Sequence, residues 1–508
     1  MGVRTVRVQG VVLRAVDAEL VTVEARFEPS DRERTEICLS GLPDAVIRES
    51  RGRLQCALQE SGFRLGPGRL YLNLVPAGTK KHGEILDLPM ALGAVAASGH
   101  LRPRCVERIL FLGEVGIDGR LHAVPGGLAA ALAAVRAGVS TVVGPHATAS
   151  EAACVEGITA HAAASLSEVA AFAAGRRELL PPLAPPGEDL EAARTPGLRL
   201  DDIRDQDEGK LAVTVAAAGG HGLLLVGPPG VGKSLLARAL VELSPPLSME
   251  DRLEVTRVLS AAGRWPGGLA SRRPFRAPHH SVSHAGLVGG GTPPSPGEIT
   301  LAHCGVLFLD ELPEFRRSAL EALRQPLESG SITISRAGRQ VELPARFQVV
   351  CAMNPCPCGF RGCVEPVCRC PPSRVRQYRG RISGPLLDRI DLSVELARPG
   401  AAALFAEEAP SSEHDEAKVR IRDARERMAQ RQGSVPNGRL SVQQLADHAG
   451  VDGDSRKLLE RAARRGGLSA RGLAAVRRVA RTLADLDDSA AIEGQHVARA
   501  LALRVALV

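Results

Sequence analysis

Gly227-Pro228-Pro229-Gly230-Val231-Gly232-Lys233-Ser234 stands between two apolar runs of different character. Before it, Leu223-Leu224-Leu225-Val226 has the unbroken apolar pattern of a buried parallel strand. After it, Leu235-Leu236-Ala237-Arg238-Ala239-Leu240 is built of helix formers. Strand, glycine-rich loop, then Lys-Ser opening a helix is the context of a phosphate-binding loop. Glycines let the backbone curl so that its N–H groups and the helix N-terminus face anionic oxygens. Lys233 can reach the β- and γ-phosphates of a nucleotide, and the Ser234 hydroxyl can ligate Mg²⁺.

Two further apolar runs end in chemistry. Gly305-Val306-Leu307-Phe308-Leu309-Asp310-Glu311 reads as a buried strand presenting carboxylates at its C-terminal end. Asp310 would hold the Mg²⁺ shell, and Glu311 would activate the attacking water as general base. An ordinary strand running into a solvated acidic turn is the competing account, and the phosphate loop upstream outweighs it. Phe347-Gln-Val-Val-Cys-Ala-Met-Asn354 is a second such strand, and its terminal Asn354 can position the attacking water.

At 508 residues the chain is too long for one ordinary core, so two to four domains are expected. Mean hydropathy of −0.01 describes a soluble globular protein. No apolar run approaches the roughly 18 residues of a membrane span, and no signal-peptide core opens the chain, so a cytoplasmic location without membrane contact is expected. Net charge of +7 mildly favours a polyanionic partner, although many cytoplasmic proteins share it. With aromatics at only 3%, a base-stacking platform is not expected, so any nucleic acid would be held by Arg, Lys and backbone groups.

Residues 1–175 read as a first α/β or α+β unit, with strands at 21–27 and 70–74 and helices at 44–61, 88–98 and 126–138. Pro181-Pro182-Leu183-Ala184-Pro185-Pro186-Gly187 marks a stiff linker within 176–197. A nucleotide-binding core then occupies 198–400, and helices fill 401–508. Within the core, 272–297 is too rich in glycine and proline for one helix. It reads as loops with a possible hairpin, carrying Arg276 and a His279-His280 pair taken as a satisfied polar turn. Residues 332–343 alternate as a β-hairpin that puts Arg336 and Arg339 at its tip, where they suit phosphate contact.

Five of the eleven cysteines crowd between Cys356 and Cys370. Cys356, Cys358, Cys368 and Cys370 form two C-x-C pairs able to fold over one tetrahedral Zn²⁺, with Cys363 as a possible substitute; reduced surface thiols are the alternative. Near the C-terminus, residues 469–486 form a helix with one apolar face. Arg477 and Arg481 read as its solvated side, and Arg471 stands at its start.

Residues 71–83 and Leu86-Asp-Leu-Pro-Met-Ala91, with 113–119 and 125–128, resemble the ribosomal-S5-domain-2-like fold shared with Lon proteases. No serine lies between Lys80 and Leu92, and Ala129 stands where such proteases carry lysine, so the resemblance implies a proteolytically inactive domain. Over nearly the whole chain, the phosphate loop, Pro274-Phe-Arg-Ala-Pro-His-His280, Leu301-Ala-His-Cys-Gly-Val-Leu-Phe-Leu-Asp-Glu311, Asn354-Pro-Cys-Pro-Cys-Gly359 and Ser383-Gly-Pro-Leu-Leu-Asp-Arg-Ile-Asp391 resemble the YifB/ComM family of magnesium-chelatase-like AAA+ ATPases. The resemblance implies an α/β architecture of Lon-like domain, central AAA+ domain and C-terminal helical lid. It also implies ATP with Mg²⁺ at the interfaces of a homo-hexamer. Arg389 would be the arginine finger, Arg471 the sensor-2 arginine and Asn354 sensor 1. The 272–297 and 332–343 segments would face the ring pore, gripping DNA through Arg276, Arg336 and Arg339. The implied activity is branch-migration DNA helicase, with a chelatase or protein-remodelling motor as the alternative.

Overall fold

The computed structural model describes residues 5–31, 35–77, 81, 83–182, 197–291, 295–336, 339–400, 412–464 and 468–504. Most of the expected linker, the hairpin-tip residues Ala337 and Gly338, the side chains of Arg336 and Arg339, and Lys80 lie outside the described residues.

Alternation of apolar residues builds the first sheet. Val6, Val8, Val21, Val23 and Ala25 are all buried, and Val6–Arg14 pairs antiparallel with Asp17–Pro29. Seven strands follow in the order Thr35–Ser40, Gly68–Val75, Asp17–Pro29, Val6–Arg14, Ile109–Phe111, Thr141–Gly144, Thr159–Ala162. The helix Asp87–Ala97 packs across Val6–Arg14 and Asp17–Pro29 and is buried on nearly all sides. Gly93 permits this approach, because a Cβ there would stand 3.0 Å from that of Ala25. Helices Ala45–Glu60 and Gly127–Arg136 occupy the other two expected segments.

One hydrophobic cluster runs from Val6 to Leu179, while Ala15 and Val16 join Leu224 and Val226 in another. Polar contacts reinforce that junction. Asp17 takes a 2.6 Å ion pair from Arg257, and the buried Glu151 carboxyl accepts from Ser260.

The second sheet is parallel throughout, in the order Phe275–Arg276, Val306–Leu309, Gln348–Met353, Leu223–Val226, Leu392–Glu395. Its fully buried strands need a helix on each face, as continuous apolar runs require. Asp207–Gly219 and Lys233–Leu243 are among the helices that cover it. The expected hairpin forms as Ser331–Arg336 with Arg339–Pro344, in register Arg336 to Arg339. Residues 272–297 form the short edge strand, a helix at His284–Val288 and a two-residue strand pair, Gly289–Gly290 with Ser295–Pro296.

Among the described residues, five α-helices follow the second sheet: Glu413–Gln432, Val442–His448, Gly453–Arg464, Ala470–Leu486 and Gly494–Ala502. Among the described residues, no helix is long and apolar enough to cross a membrane. Arg477 and Arg481 depart from the solvated reading. Arg481 is 3% exposed and donates to the carbonyls of Ser489 and Ala490, with Asp485 at 3.0 Å. Arg477 donates to the carbonyls of Leu445 and Ala449. These arginines cap chain ends arriving from neighbouring elements, satisfying carbonyls that burial would otherwise orphan.

Candidate nucleotide and metal sites

The phosphate loop leaves the C-terminal end of Leu223–Val226, flanked on both sides by strands, where open α/β sheets place their ligand crevice. Gly227 has no room for a side chain, since a Cβ would lie 2.8 Å from the Leu396 carbonyl oxygen. Gly230 and Gly232 adopt φ of +80° and +89°, the left-handed region that glycine enters at least cost. The helix Lys233–Leu243 then starts with no side-chain cap, so its first N–H groups face the loop.

Lys233 is 9% exposed and folds back over the loop. Its Nζ donates to the carbonyls of Gly227 (2.5 Å) and Pro228 (2.9 Å) and to Asn354 Oδ1 (3.0 Å). Burial pushes its pKa down, although Asp310 and Glu311 oppose this. Ser234 Oγ donates to Asp310 Oδ2 at 3.3 Å, which places both expected Mg²⁺ ligands together. Both residues are exposed, and their oxygens could hold a hydrated Mg²⁺. A cleft of about 390 Å³ is lined by Pro229, Gly230, Val231, Gly232, Lys233, Ser234, Leu235, Asp310, Glu311 and Asn354.

Glu311 sits at φ +52°, uncommon for a non-glycine residue and typical of strained functional positions. Its carboxylate lies 3.0 Å from His280 Nδ1, and the His280 ring lies 4.0 Å from that of His279. The expected polar turn is present: His279 Nδ1 lies 2.8 Å from Ser281 Oγ and accepts from the Ser281 N–H. The sheet order sets the edge strand beside the acidic strand, and this brings His280 to Glu311, a contact that sequence spacing does not show.

Arg389 and Arg471 do not line their own cleft. They converge on Glu328: Arg389 Nη2 at 2.5 Å and Arg471 Nη2 at 3.1 Å from its two carboxylate oxygens. Arg389 also donates to the Pro385 carbonyl at 2.7 Å, and Ser469 donates to Asp388 at 3.1 Å. Arg276 is held bidentately by Glu298 at 2.6 and 2.8 Å.

Behind the Arg389 loop lies a buried polar network. Asp391 takes His221 Nδ1 and Arg478 Nη2, each at 2.9 Å, and His221 Nε2 lies 2.7 Å from Thr482 Oγ1. Burial pushes the Asp391 carboxyl up, but Arg478 and His221 outweigh it and hold the pKa below the ordinary value. Asp391→Asn would leave Arg478 without its counter-charge. Breaking a buried pair from one side costs about 3–5 kcal/mol, so the denaturation midpoint should fall accordingly. A loss under about 1 kcal/mol would mean that this network does not anchor the C-terminal helices.

The four expected sulfurs come together. Cys356 Sγ lies 3.3 Å from Cys358 Sγ and 3.6 Å from Cys368 Sγ, and Cys370 joins within 4.8 Å, forming a group that could hold a metal; Cys363 stays outside it. The Phe360 backbone N–H holds the Cys358 thiol down to about 6, which favours a thiolate. A second group, Glu254, His303 and Cys304, is already satisfied by protein. The Arg346 N–H donates to His303 Nδ1, so Nε2 carries the proton and donates to Glu254 at 2.8 Å, where the Arg346 guanidinium also sits.

The model of magnesium chelatase subunit ChlI matches residues 199–404, with further ChlI models over 24–148 and, for its C-terminal part, 411–504. The chain is 38% identical to the YifB protein of Salmonella typhimurium over 496 residues, covering 96% of this chain and 95% of that one. It is 38% identical to competence protein ComM of Haemophilus influenzae over 499 residues, at 96% and 95% coverage. It is 40% identical to an uncharacterized Mycobacterium tuberculosis protein over 506 residues, 98% of each. With these matches spanning its length, the chain belongs to the YifB/ComM family of magnesium-chelatase-like AAA+ proteins.

Proposed function

We propose that this protein is an ATP-dependent DNA translocase, a branch-migration helicase of the ComM type acting in DNA recombination during natural transformation. The observation that carries the proposal is the assembled triphosphate cleft, with Lys233 on Asn354, Ser234 on Asp310 and Glu311 beside them, in a chain similar to a competence protein over nearly all its length. In this reading ATP binds the loop 227–234 with Mg²⁺ on Ser234 and Asp310. Glu311 takes the proton of the attacking water, which Asn354 orients. Arg389, gathered with Arg471 on Glu328 away from its own cleft, is the proposed arginine finger for the γ-phosphate held by the next chain, and Arg471 is the proposed sensor-2 arginine of the lid; the proposed working form is a homo-hexameric ring in the cytoplasm.

The proposed units are an inactive Lon-like domain at 1–175, a linker at 176–197, an AAA+ core at 198–400 and a helical lid at 401–508. Arg336 and Arg339 at the hairpin tip and Arg276 on the edge strand are the proposed phosphate contacts on DNA. The four-cysteine knuckle is read as a structural Zn²⁺ site. The other reading, a motor subunit of a chelatase-like or protein-remodelling complex, draws on the ChlI models. ATPase rates with and without single-stranded and forked DNA separate the two. DNA should stimulate turnover several-fold, with a dependence on salt that follows the phosphates contacted. Turnover indifferent to every DNA form overturns the translocase and favours the second reading.

A further inference from the structure

The cysteine knuckle does not stand apart from the nucleotide cleft. Cys356, fully buried, lies two residues beyond Asn354, whose Oδ1 receives Lys233. Gly359 adopts φ +88°, and a Cβ there would stand 2.8 Å from Pro229 Cδ and 3.8 Å from Asn354 Cγ, so this turn lies directly on the phosphate loop. Behind it, Arg379 donates to the Pro355 carbonyl, and the Arg398 guanidinium lies 5.3 Å from the Phe360 ring centroid.

Little else orders this segment. From Asn354 to Pro371 there is no helix or strand, and Val364 and Val367 are 88% and 69% exposed. A stretch with so few apolar contacts opens readily unless something crosslinks it. The sulfur spacings supply the crosslink. A tetrahedral ion with metal–sulfur bonds of about 2.3 Å sets its sulfurs roughly 3.8 Å apart. The 3.3 and 3.6 Å separations approach this and are far longer than the roughly 2 Å of a disulfide.

We infer that the knuckle is a metal-dependent clasp on the phosphate loop: a thiophilic divalent cation on Cys356, Cys358, Cys368 and Cys370 seats the Gly359 turn against Pro229 and fixes Asn354, so that nucleotide affinity depends on metal occupancy. The inference rests on the zinc reading above and extends it from structural support to control of the cleft. Binding converts thiols to thiolates and releases their protons to solvent; no redox step is involved.

The test measures metal content and fluorescent-ATP affinity on the full chain. Wild type should carry about one zinc per chain. Cys358→Ser, at an exposed position, should lose that metal and weaken nucleotide binding about tenfold, the equivalent of one charge-assisted hydrogen bond. Treating wild type with a zinc-selective chelator that spares Mg²⁺ should do the same and be reversed by added zinc, which excludes a simple folding defect. Gly359→Ala keeps all four sulfurs but disturbs the contact, and should retain metal while binding nucleotide several-fold more weakly. Wild type without stoichiometric metal would overturn the zinc reading and the clasp together. Metal that comes and goes with no change in nucleotide affinity would overturn the clasp alone and leave the zinc site standing.

Discussion

Glu311→Gln is expected to bind ATP about as well as wild type and to hydrolyse it on the order of 10²–10⁴ times more slowly. The amide matches the carboxylate in shape but cannot accept the proton of the attacking water. In the proposed reading binding survives because the triphosphate is held elsewhere, by the loop backbone, Lys233 and a Mg²⁺ on Ser234 and Asp310. The carboxylate is exposed and turned toward His280, so the substitution removes an accessible contact and leaves no buried charge unpaired. Stability should be nearly unchanged. Single-turnover phosphate release, read beside nucleotide affinity, separates the two effects. A variant keeping more than about a third of wild-type turnover would remove Glu311 from the role of base.

Arg389→Ala is expected to lower turnover about 10³-fold, the scale of a missing arginine finger, again without loss of nucleotide binding. Its geometry adds a sharper test. Because Arg389 is drawn to Glu328 and is absent from its own cleft, the group it serves should belong to another chain. Lys233→Ala disables a cleft but leaves its finger intact, whereas Arg389→Ala does the reverse. Mixing the two inactive proteins should therefore restore measurable turnover, since some interfaces pair a good cleft with a good finger. Mixtures no more active than their parts would place the action of Arg389 within one chain or remove it from catalysis.

Much of the cleft was legible because its signals are local. The glycine positions, Lys233, Ser234 and the acids after Leu309 each follow from a short strand and the turn that ends it. The cysteine cluster was legible because two C-x-C pairs lie close in sequence, but spacing left Cys363 open as a substitute, and only the fold shows that it stays outside the group. What escaped depends on contacts between elements distant in sequence. His280 acquires its meaning only when the sheet order sets Phe275–Arg276 beside Val306–Leu309. Glu328 carries no motif, and its role appears once Arg389 from a turn and Arg471 from the first turn of Ala470–Leu486 reach it. Amphipathic spacing shows which face of Ala470–Leu486 is apolar, yet it cannot show that Glu413–Gln432 and the Ser489–Ala490 turn cover its charged flank and bury Arg481. Arg276 was legible as a basic residue in a glycine-rich stretch, but not as the partner of Glu298.

The strand order of the second sheet also bears on the birth of the molecule. Leu223–Val226 pairs with Gln348–Met353 on one side and Leu392–Glu395 on the other, both made long after it. The first sheet, in contrast, has all its strands once Ala162 has emerged. During synthesis the first sheet can settle while the phosphate-loop strand, apolar and unpaired, waits until Gln348–Met353 has been made. A nascent chain stopped before residue 348 would thus carry a finished first sheet and an unpaired apolar strand in place of an assembled second sheet. Whether the phosphate loop acquires its flanking strands is settled only when residues 348–395 are made, long after the first sheet is complete.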